Sequence, residues 1–186
     1  MTEPIRRKNN LLRLFLLGML GCLCAGCLHA SGVKEKESLM ENGCGTLWGV
    51  VNTLGEEMPL SKEVVEAVLR TELTDKTRDE YLWHLIGAGH PLDDGSSVSR
   101  VSLALLPGGE FGKNSGLSIE LEGRCIGLDE IREHFGELTI VQYPRGRSLQ
   151  ETTVYAAAMP WGELSFAFKE EKRDCLFRIL FRKKMP

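Results

Sequence analysis

The stretch LSIELE, residues 117–122, decides the fold because apolar and polar residues alternate in it without a break. Successive side chains of a β-strand point to opposite faces, so Leu117, Ile119 and Leu121 would share one face and the polar residues the other. A strand with one buried and one wet face is typical of an antiparallel sheet. This stretch therefore predicts a half-buried antiparallel strand.

Similar apolar stretches on both sides of it predict further strands, at residues 81–89, 101–105, 138–143, 153–159, 164–168 and 177–181. Ser61 is a good N-cap for a helix ending near Leu73, and Gly127 and Gly136 bracket a second helix. An apolar cluster at residues 47–54 is compatible with a short helix or a strand. Short connections favour antiparallel pairing of consecutive strands. The sequence thus predicts one globular α+β domain over residues 44–186, with two layers, an antiparallel sheet covered by helices, and a pseudo-repeat of a helix followed by three strands.

The N-terminal part has the layout of a secretory signal. Arg6, Arg7 and Lys8 precede an apolar run that ends in small residues and Cys27. The run is too short to span a hydrocarbon core of ~30 Å, which needs about 20 helical residues. The alternatives are an uncleaved anchor helix and, for the modified cysteine, Cys22.

Small residues followed directly by Cys27 resemble the lipobox of bacterial lipoproteins, although Cys24 stands where that family usually has leucine. The resemblance implies that residues 1–26 are a lipoprotein signal peptide and that Cys27 carries acyl chains that anchor the protein to a membrane. Residues 27–43 are polar and without period, which predicts a flexible linker. Leu28 is not the aspartate that commonly marks inner-membrane retention, so the resemblance favours an outer-membrane lipoprotein facing the periplasm.

The charge argues against nucleic acid or anionic lipid as a default partner. The chain carries 23 basic and 26 acidic residues. Removing the signal takes away four basic residues and one acidic residue, which leaves 19 and 25 and a net charge of −6. We therefore expect no nucleic-acid partner and contact with the membrane only through the lipid.

Three of the six cysteines remain once the signal and the lipidated residue are set aside. An oxidising compartment favours one disulfide and one odd thiol. Cys125 and Cys175 flank regular elements in the same half of the chain, so we expect them to pair and Cys44 to remain free. The alternative is that all three stay reduced in the core.

The sequence gives no catalytic, metal or cofactor motif. His90, Asp93 and Asp94 lie in one loop, but Pro91 and the Asp94–Gly95 pair are typical of a turn. The stretch GGEFGK, residues 108–113, differs from a phosphate-binding loop in its glycine spacing and leads into a strand. We therefore expect no enzyme activity.

Two loops and one turn carry the side chains that suit a protein partner. They present Phe111 in residues 107–116, Arg145 and Arg147 in residues 144–151, and Trp161 at a tight turn. Arginine and tryptophan are common binding anchors. The alternative is that Trp161 packs the end of the core and the arginines are only solvated.

The predicted architecture resembles β-lactamase inhibitor proteins and the small lipoprotein of the outer-membrane β-barrel assembly machinery. The lipobox and the overall composition also resemble lipoprotein immunity proteins, which guard the periplasm against toxins of rival cells. These resemblances imply a non-catalytic lipoprotein that binds another protein, such as an immunity protein or inhibitor of a toxic enzyme. The alternative is a structural accessory of envelope assembly.

We expect Cys27→Ser to release the protein from the membrane or to leave an uncleaved precursor, because the substitution removes the residue that would carry the acyl chains of the anchor. Membrane fractionation with intact-mass analysis of the N-terminus measures this. Cys22→Ser is the matched control and should leave anchoring unchanged. A wild-type protein that begins at another residue and carries no lipid would contradict the assignment.

Overall fold

A computed structural model describes residues 45–112 and 115–183 of the 186-residue chain. Several predictions concern residues outside these ranges. They are the signal peptide of residues 1–26, the lipidation of Cys27, the linker of residues 27–43 and the free thiol of Cys44.

The described residues form a mixed α+β fold with three α-helices and one eight-stranded sheet. The helices are α1 (Leu47–Glu56), α2 (Lys62–Leu69) and α3 (Leu128–Phe135). The strands of the first half are β1 (Thr74–Arg78), β2 (Trp83–Ala88), β3 (Ser96–Leu105) and β4 (Gly116–Gly123). Those of the second half are β5 (Thr139–Gln142), β6 (Thr152–Met159), β7 (Gly162–Lys169) and β8 (Leu176–Lys183), with a 3₁₀ turn at Glu170–Lys172.

The strand order in the sheet is β1-β2-β3-β4-β8-β7-β6-β5, and every neighbouring pair is antiparallel. The first four strands form one meander and the last four form another. The two meanders join where β4 pairs with β8, with Ile119 opposite Ile179. This order leaves β1 and β5 at the two edges of the sheet.

The antiparallel α+β fold is as predicted, but the first half differs from the predicted helix and three strands. It has two helices and four strands. The missed strand is β1, with the sequence TDKTR, whose five residues are all exposed. This strand has no apolar residue, so its sequence shows no alternation of apolar and polar positions. It is a strand because it pairs with β2.

The helices begin and end at residues that suit their positions. Thr46 and Ser61 are the N-caps of α1 and α2, and their hydroxyls accept hydrogen bonds from the N–H groups of Gly49 and Val64. The predicted bounds of α3 are confirmed, with Gly127 as N-cap and Gly136 as C-cap. The cluster at residues 47–54 is a helix because its buried residues recur at helical spacing.

One apolar core holds the elements together. The buried residues of β3 and β4 alternate along each strand, and Leu103 and Ile119 are fully buried. They belong to the same cluster as Leu54 of α1 and Leu69 of α2. In β7 five consecutive residues are buried, so the second meander also packs against other parts of the protein.

Cys125 and Cys175 lie at disulfide-bonding distance in the structure, with their Cα atoms 4.9 Å apart. Cys125 follows β4 and Cys175 precedes β8, so the pair lies at one end of the β4–β8 junction. The N–H of Leu176 donates to the carbonyl of Ile126 at 2.8 Å and ties the same two segments.

Removing this link with Cys125→Ser/Cys175→Ser should lower the free energy of unfolding by roughly 4 kcal/mol, because the disulfide closes a loop of about 50 residues in the unfolded chain. Urea unfolding of the full chain measures the loss. Cys44→Ser is the control and should leave stability unchanged. Non-reducing peptide mapping that pairs Cys44 with either residue would contradict the pairing.

Candidate functional site

The exposed large hydrophobic side chains concentrate in one segment. Of the five among the described residues, four lie in β5 and the loop that follows it: Ile140, Val141, Tyr143 and Leu149, 36–68% exposed. We call residues 139–152 the β5–β6 arm. Scattered exposed apolar residues need no explanation, whereas a group concentrated in one segment makes that segment a candidate interaction surface.

The arm is held in place by hydrogen bonds at its base. The carboxylate of Glu151 accepts from the N–H groups of Arg145 and Arg147 at 2.5 and 3.4 Å. The N–H of Glu171 donates to the carbonyl of Leu149 at 3.0 Å, and the side-chain amide of Gln150 donates to the Glu171 carboxylate at 2.6 Å. A loop fixed in this way loses less conformational entropy when it binds a partner.

A cleft of about 880 Å³ lies between the arm and strands β7 and β8. Phe177 lines the cleft, and the centroid of its ring lies 3.9 Å from the ammonium of Lys169 and 4.9 Å from the guanidinium of Arg178. Arg178 is also paired with Glu120 of β4 at 2.8 Å. Its Nε is buried without a hydrogen-bond partner among the described residues. Lys169 is likewise paired with Glu171 at 3.5 Å, so both cations of the cleft already have an acidic partner within the protein.

Arg145 and Arg147 line this cleft from the arm side and are both exposed. Within residues 45–112 and 115–183, neither guanidinium has a carboxylate oxygen within 4.0 Å. The loop fixes their backbones through Glu151 and leaves their side chains available to a partner. The structure thus brings two of the four predicted partner-binding residues together on one surface.

Phe111 is not on that surface, and its predicted exposure is wrong. It is 5% exposed and belongs to the core cluster. The loop folds back on itself because the N–H of Leu106 donates to the carbonyl of Glu110 at 2.9 Å. Burying a phenylalanine side chain stabilises the folded protein by roughly 2–3 kcal/mol relative to leaving it in solvent, which favours the inward position of Phe111.

Trp161 also lies apart from the arm. It is half-buried, and its ring stacks on Phe181 with centroids 5.7 Å apart. A Cβ at Gly55 of α1 would lie 3.2 Å from the indole Nε1, so the glycine leaves room for the ring. Trp161 therefore packs the end of the core, which was the alternative to its role as an anchor.

The sequence did not predict the apolar residues of the arm or the two cations of its cleft, Lys169 and Arg178. The signal for the arm was present in the sequence TIVQY, residues 139–143, in which two adjacent apolar residues, Ile140 and Val141, break the alternation shortly before a proline. For the cations, only the pairing of β8 with both β4 and β7 shows where they lie.

A second polar cluster joins the N-terminus of α1 to α3. The guanidinium of Arg124 lies 2.8 Å from the carboxylate of Glu130 and 3.7 Å from that of Asp94. Glu130 accepts from the indole N–H of Trp48 at 3.0 Å, and Asp94 accepts from the N–H of Leu47 at 2.9 Å. Each group in the cluster links two elements, which indicates a structural role.

The cluster lowers the pKa values of both carboxyl groups. For Glu130, the hydrogen bond from Arg124 is the main cause of a pKa below its ordinary 4.5. For Asp94, burial alone would raise the pKa, but hydrogen bonds from Ser96 and Leu47 and the charge of Arg124 bring it below its ordinary 3.8. Both groups therefore favour the folded state when they are ionised.

The loop of His90 and Asp93 contains a turn, in which the N–H of Gly95 donates to the carbonyl of Leu92 at 3.3 Å, and its backbone also bonds to neighbouring segments. The N–H of Asp93 donates to the carbonyl of Gly45 at 2.6 Å, and the N–H of Val98 donates to that of His90 at 3.0 Å. Among the described residues, no group of three His, Cys, Asp or Glu side chains is arranged to hold a metal ion.

The chain matches no protein-family model, no curated protein and no solved structure. Among the helices of the described ranges, none is long and apolar enough to cross a membrane. The surface of the β5–β6 arm and its cleft is the candidate site.

Acidification should weaken the fold through Asp94 and Glu130. Their lowered pKa values contribute stability that is fully present above their ordinary values of 3.8 and 4.5 and is lost as the pH falls through the folded-state values. Arg124→Met should flatten this acid dependence, because it removes the charge that lowers both pKa values. Urea unfolding midpoints between pH 7 and pH 3 are the measurement.

Arg132→Met is the matched control for this series, since Arg132 makes only a surface pair with Asp129 at 3.1 Å. It should leave the acid dependence as in the wild type. An identical acid dependence in the wild type and Arg124→Met would show that the cluster does not control it.

Proposed function

We propose that this protein is a non-catalytic lipoprotein, anchored through Cys27 and facing the periplasm, that binds another protein through the β5–β6 arm. The observation that carries the proposal is the concentration of four exposed hydrophobic side chains and two exposed arginines in this one braced segment. Tyrosine and arginine are enriched in protein interfaces, and apolar side chains next to them exclude water.

The chemistry of the surface indicates the kind of partner. Arg145 and Arg147 line the same cleft as Lys169 and Arg178. Lys169 and Arg178 already pair with Glu171 and Glu120, so the arm supplies the two exposed guanidinium groups. Guanidinium groups bind carboxylates through two parallel hydrogen bonds, and such bonds are stronger than those between neutral groups. The surface therefore suits a partner that presents carboxylates, such as the acidic active-site cleft of a toxic enzyme.

The layer arrangement and the internal repeat of the fold are also proposed. We infer two layers, with the helices on one face of the sheet, and a repeat in which each half is helical first and then forms a four-stranded meander. Support comes from the shared core cluster of helix and strand residues and from the position of β4 and β8, each the last strand of its half, at the centre of the sheet.

The membrane anchor rests on the sequence of the signal region, with its basic start, short apolar run and small residues before Cys27. An outer-membrane position rests on Leu28. The 17-residue linker of residues 27–43 would hold the folded body close to the membrane and leave the arm free to meet a partner in the periplasm.

Removing either arm arginine should weaken partner binding by about 2 kcal/mol or more, because the partner's carboxylate would lose its hydrogen bonds in a desolvated contact. The full chain captures a partner from envelope extract, and the affinity of Arg145→Ala and Arg147→Ala for that purified partner is then compared with the wild type. Arg132→Ala is the matched control, since Arg132 is an exposed arginine with a local acidic partner.

The loop variants His90→Ala and Asp93→Ala complete the comparison. They should leave binding unchanged, because that loop is a turn remote in sequence from the arm. If they abolish binding or protection from a toxin while the arginine variants retain it, the proposed binding function is wrong.

A further inference from the structure

The two edges of the sheet are chemically different. Edge strand β1 carries three charged residues in five positions, Asp75, Lys76 and Arg78, whereas edge strand β5 carries none in four. Each edge pair contains one register shift, at Lys76 in β1 and at Val141 in β5, so both strands are irregular at one position and the difference between the edges lies in charge. Charged residues on an edge strand oppose pairing with another chain, and their absence leaves the edge open to it.

Edge strand β5 also has unused hydrogen-bonding capacity. It pairs with β6 on one side, and on its other side no strand of the described residues follows it in the sheet. Ile140 and Val141 are exposed on this strand, and Tyr143 follows it. An added strand would satisfy the outer backbone groups of β5 and bury these apolar side chains.

The charges that flank β5 favour one particular added strand. Glu137 precedes the strand and Arg145 follows it, each at the same distance in sequence from Val141. When two copies of one segment pair antiparallel about a twofold axis, the beginning of each faces the end of the other. That arrangement brings Glu137 of each copy towards Arg145 of the other, whereas a parallel arrangement would oppose like charges.

We propose that β5 pairs antiparallel with β5 of a second copy of this chain, about a twofold axis near Val141. The pairing joins two eight-stranded sheets edge to edge and matches acidic and basic groups at both ends. A single short strand and its flanks bury less than the ~1,000 Å² of a typical stable interface. The dimer therefore forms in a concentration-dependent way. The dimer would bury side chains of the β5–β6 arm and would therefore compete with the binding of another protein there, although it is inferred from the outer edge of β5 and not from that binding.

Site-specific cross-linking of the full chain tests the pairing. Residues opposite each other on antiparallel strands have Cα atoms about 4.5–5.5 Å apart, within the range of a disulfide. Val141→Cys in a Cys44→Ser background should give a covalent dimer under mild oxidation. Thr77→Cys in the same background is the matched control, because Thr77 is an exposed residue of edge strand β1.

Charge reversal tests the antiparallel arrangement. Glu137→Arg or Arg145→Glu, added to Val141→Cys, should each slow cross-linking by roughly fivefold, because each creates two like-charge contacts in the symmetric dimer. The double reversal Glu137→Arg/Arg145→Glu should restore the rate. Arg147→Ala should leave cross-linking unchanged while weakening partner capture, which separates this inference from the proposed function.

Two results would overturn the dimer. One is a cross-linking yield for Val141→Cys no higher than for Thr77→Cys. The other is a double reversal that cross-links no faster than the single reversals.

Discussion

The pairing of β4 with β8 is the interaction on which the rest of the structure depends. It joins two four-stranded meanders into one sheet through Ile119 opposite Ile179, and the ion pair of Glu120 with Arg178 at 2.8 Å lies beside that contact. Cys125 follows β4 and Cys175 precedes β8, so the cysteine pair lies at one end of this junction. Apolar burial supplies most of the stabilisation here, since an ion pair that remains partly exposed contributes little. If this junction opened, each meander would lose its neighbour and the apolar side chains between them would be exposed to water.

The β4–β8 junction also determines where the candidate site lies in the sheet. Because β4 and β8 are central, β1 and β5 become the edges, and the charged sequence of β1 leaves β5 as the edge that is open to contact. Arg178 connects the two regions, since it pairs with Glu120 at the junction and contributes to the cleft under the β5–β6 arm. Glu151 holds the backbone of the arm above that cleft. The central junction and the candidate site are therefore adjacent in space and share Arg178, and the candidate site lies mainly in a loop on a rigid sheet, where functional residues are often found.

Local chemistry made some of these features predictable. The alternation of LSIELE gave β4, Gly127 and Gly136 bracketed α3, and the positions of Cys125 and Cys175 on either side of regular elements suggested their pairing. Strand β1 was missed because an edge strand with no buried side chain leaves no periodic signal. The position of Phe111 was also missed, since a glycine-rich loop that turns inward has the same composition as one that turns outward. Arg145 and Arg147 could be chosen from their loop, but their convergence with Lys169 and Arg178 depends on strand pairings between distant parts of the sequence. Long-range pairing of this kind is set by the whole core and not by any short segment.

The central claim is that the β5–β6 arm is the surface on which a partner protein docks. Amide hydrogen exchange tests it most directly, measured by mass spectrometry on the full chain alone and with its captured partner. The account predicts slower exchange on binding in peptides that cover residues 139–152 and 169–178, with β1 and the loop of residues 89–95 unchanged. Protection confined to β1 or to helices α1 and α2, with residues 139–152 exchanging as in the free protein, would contradict it.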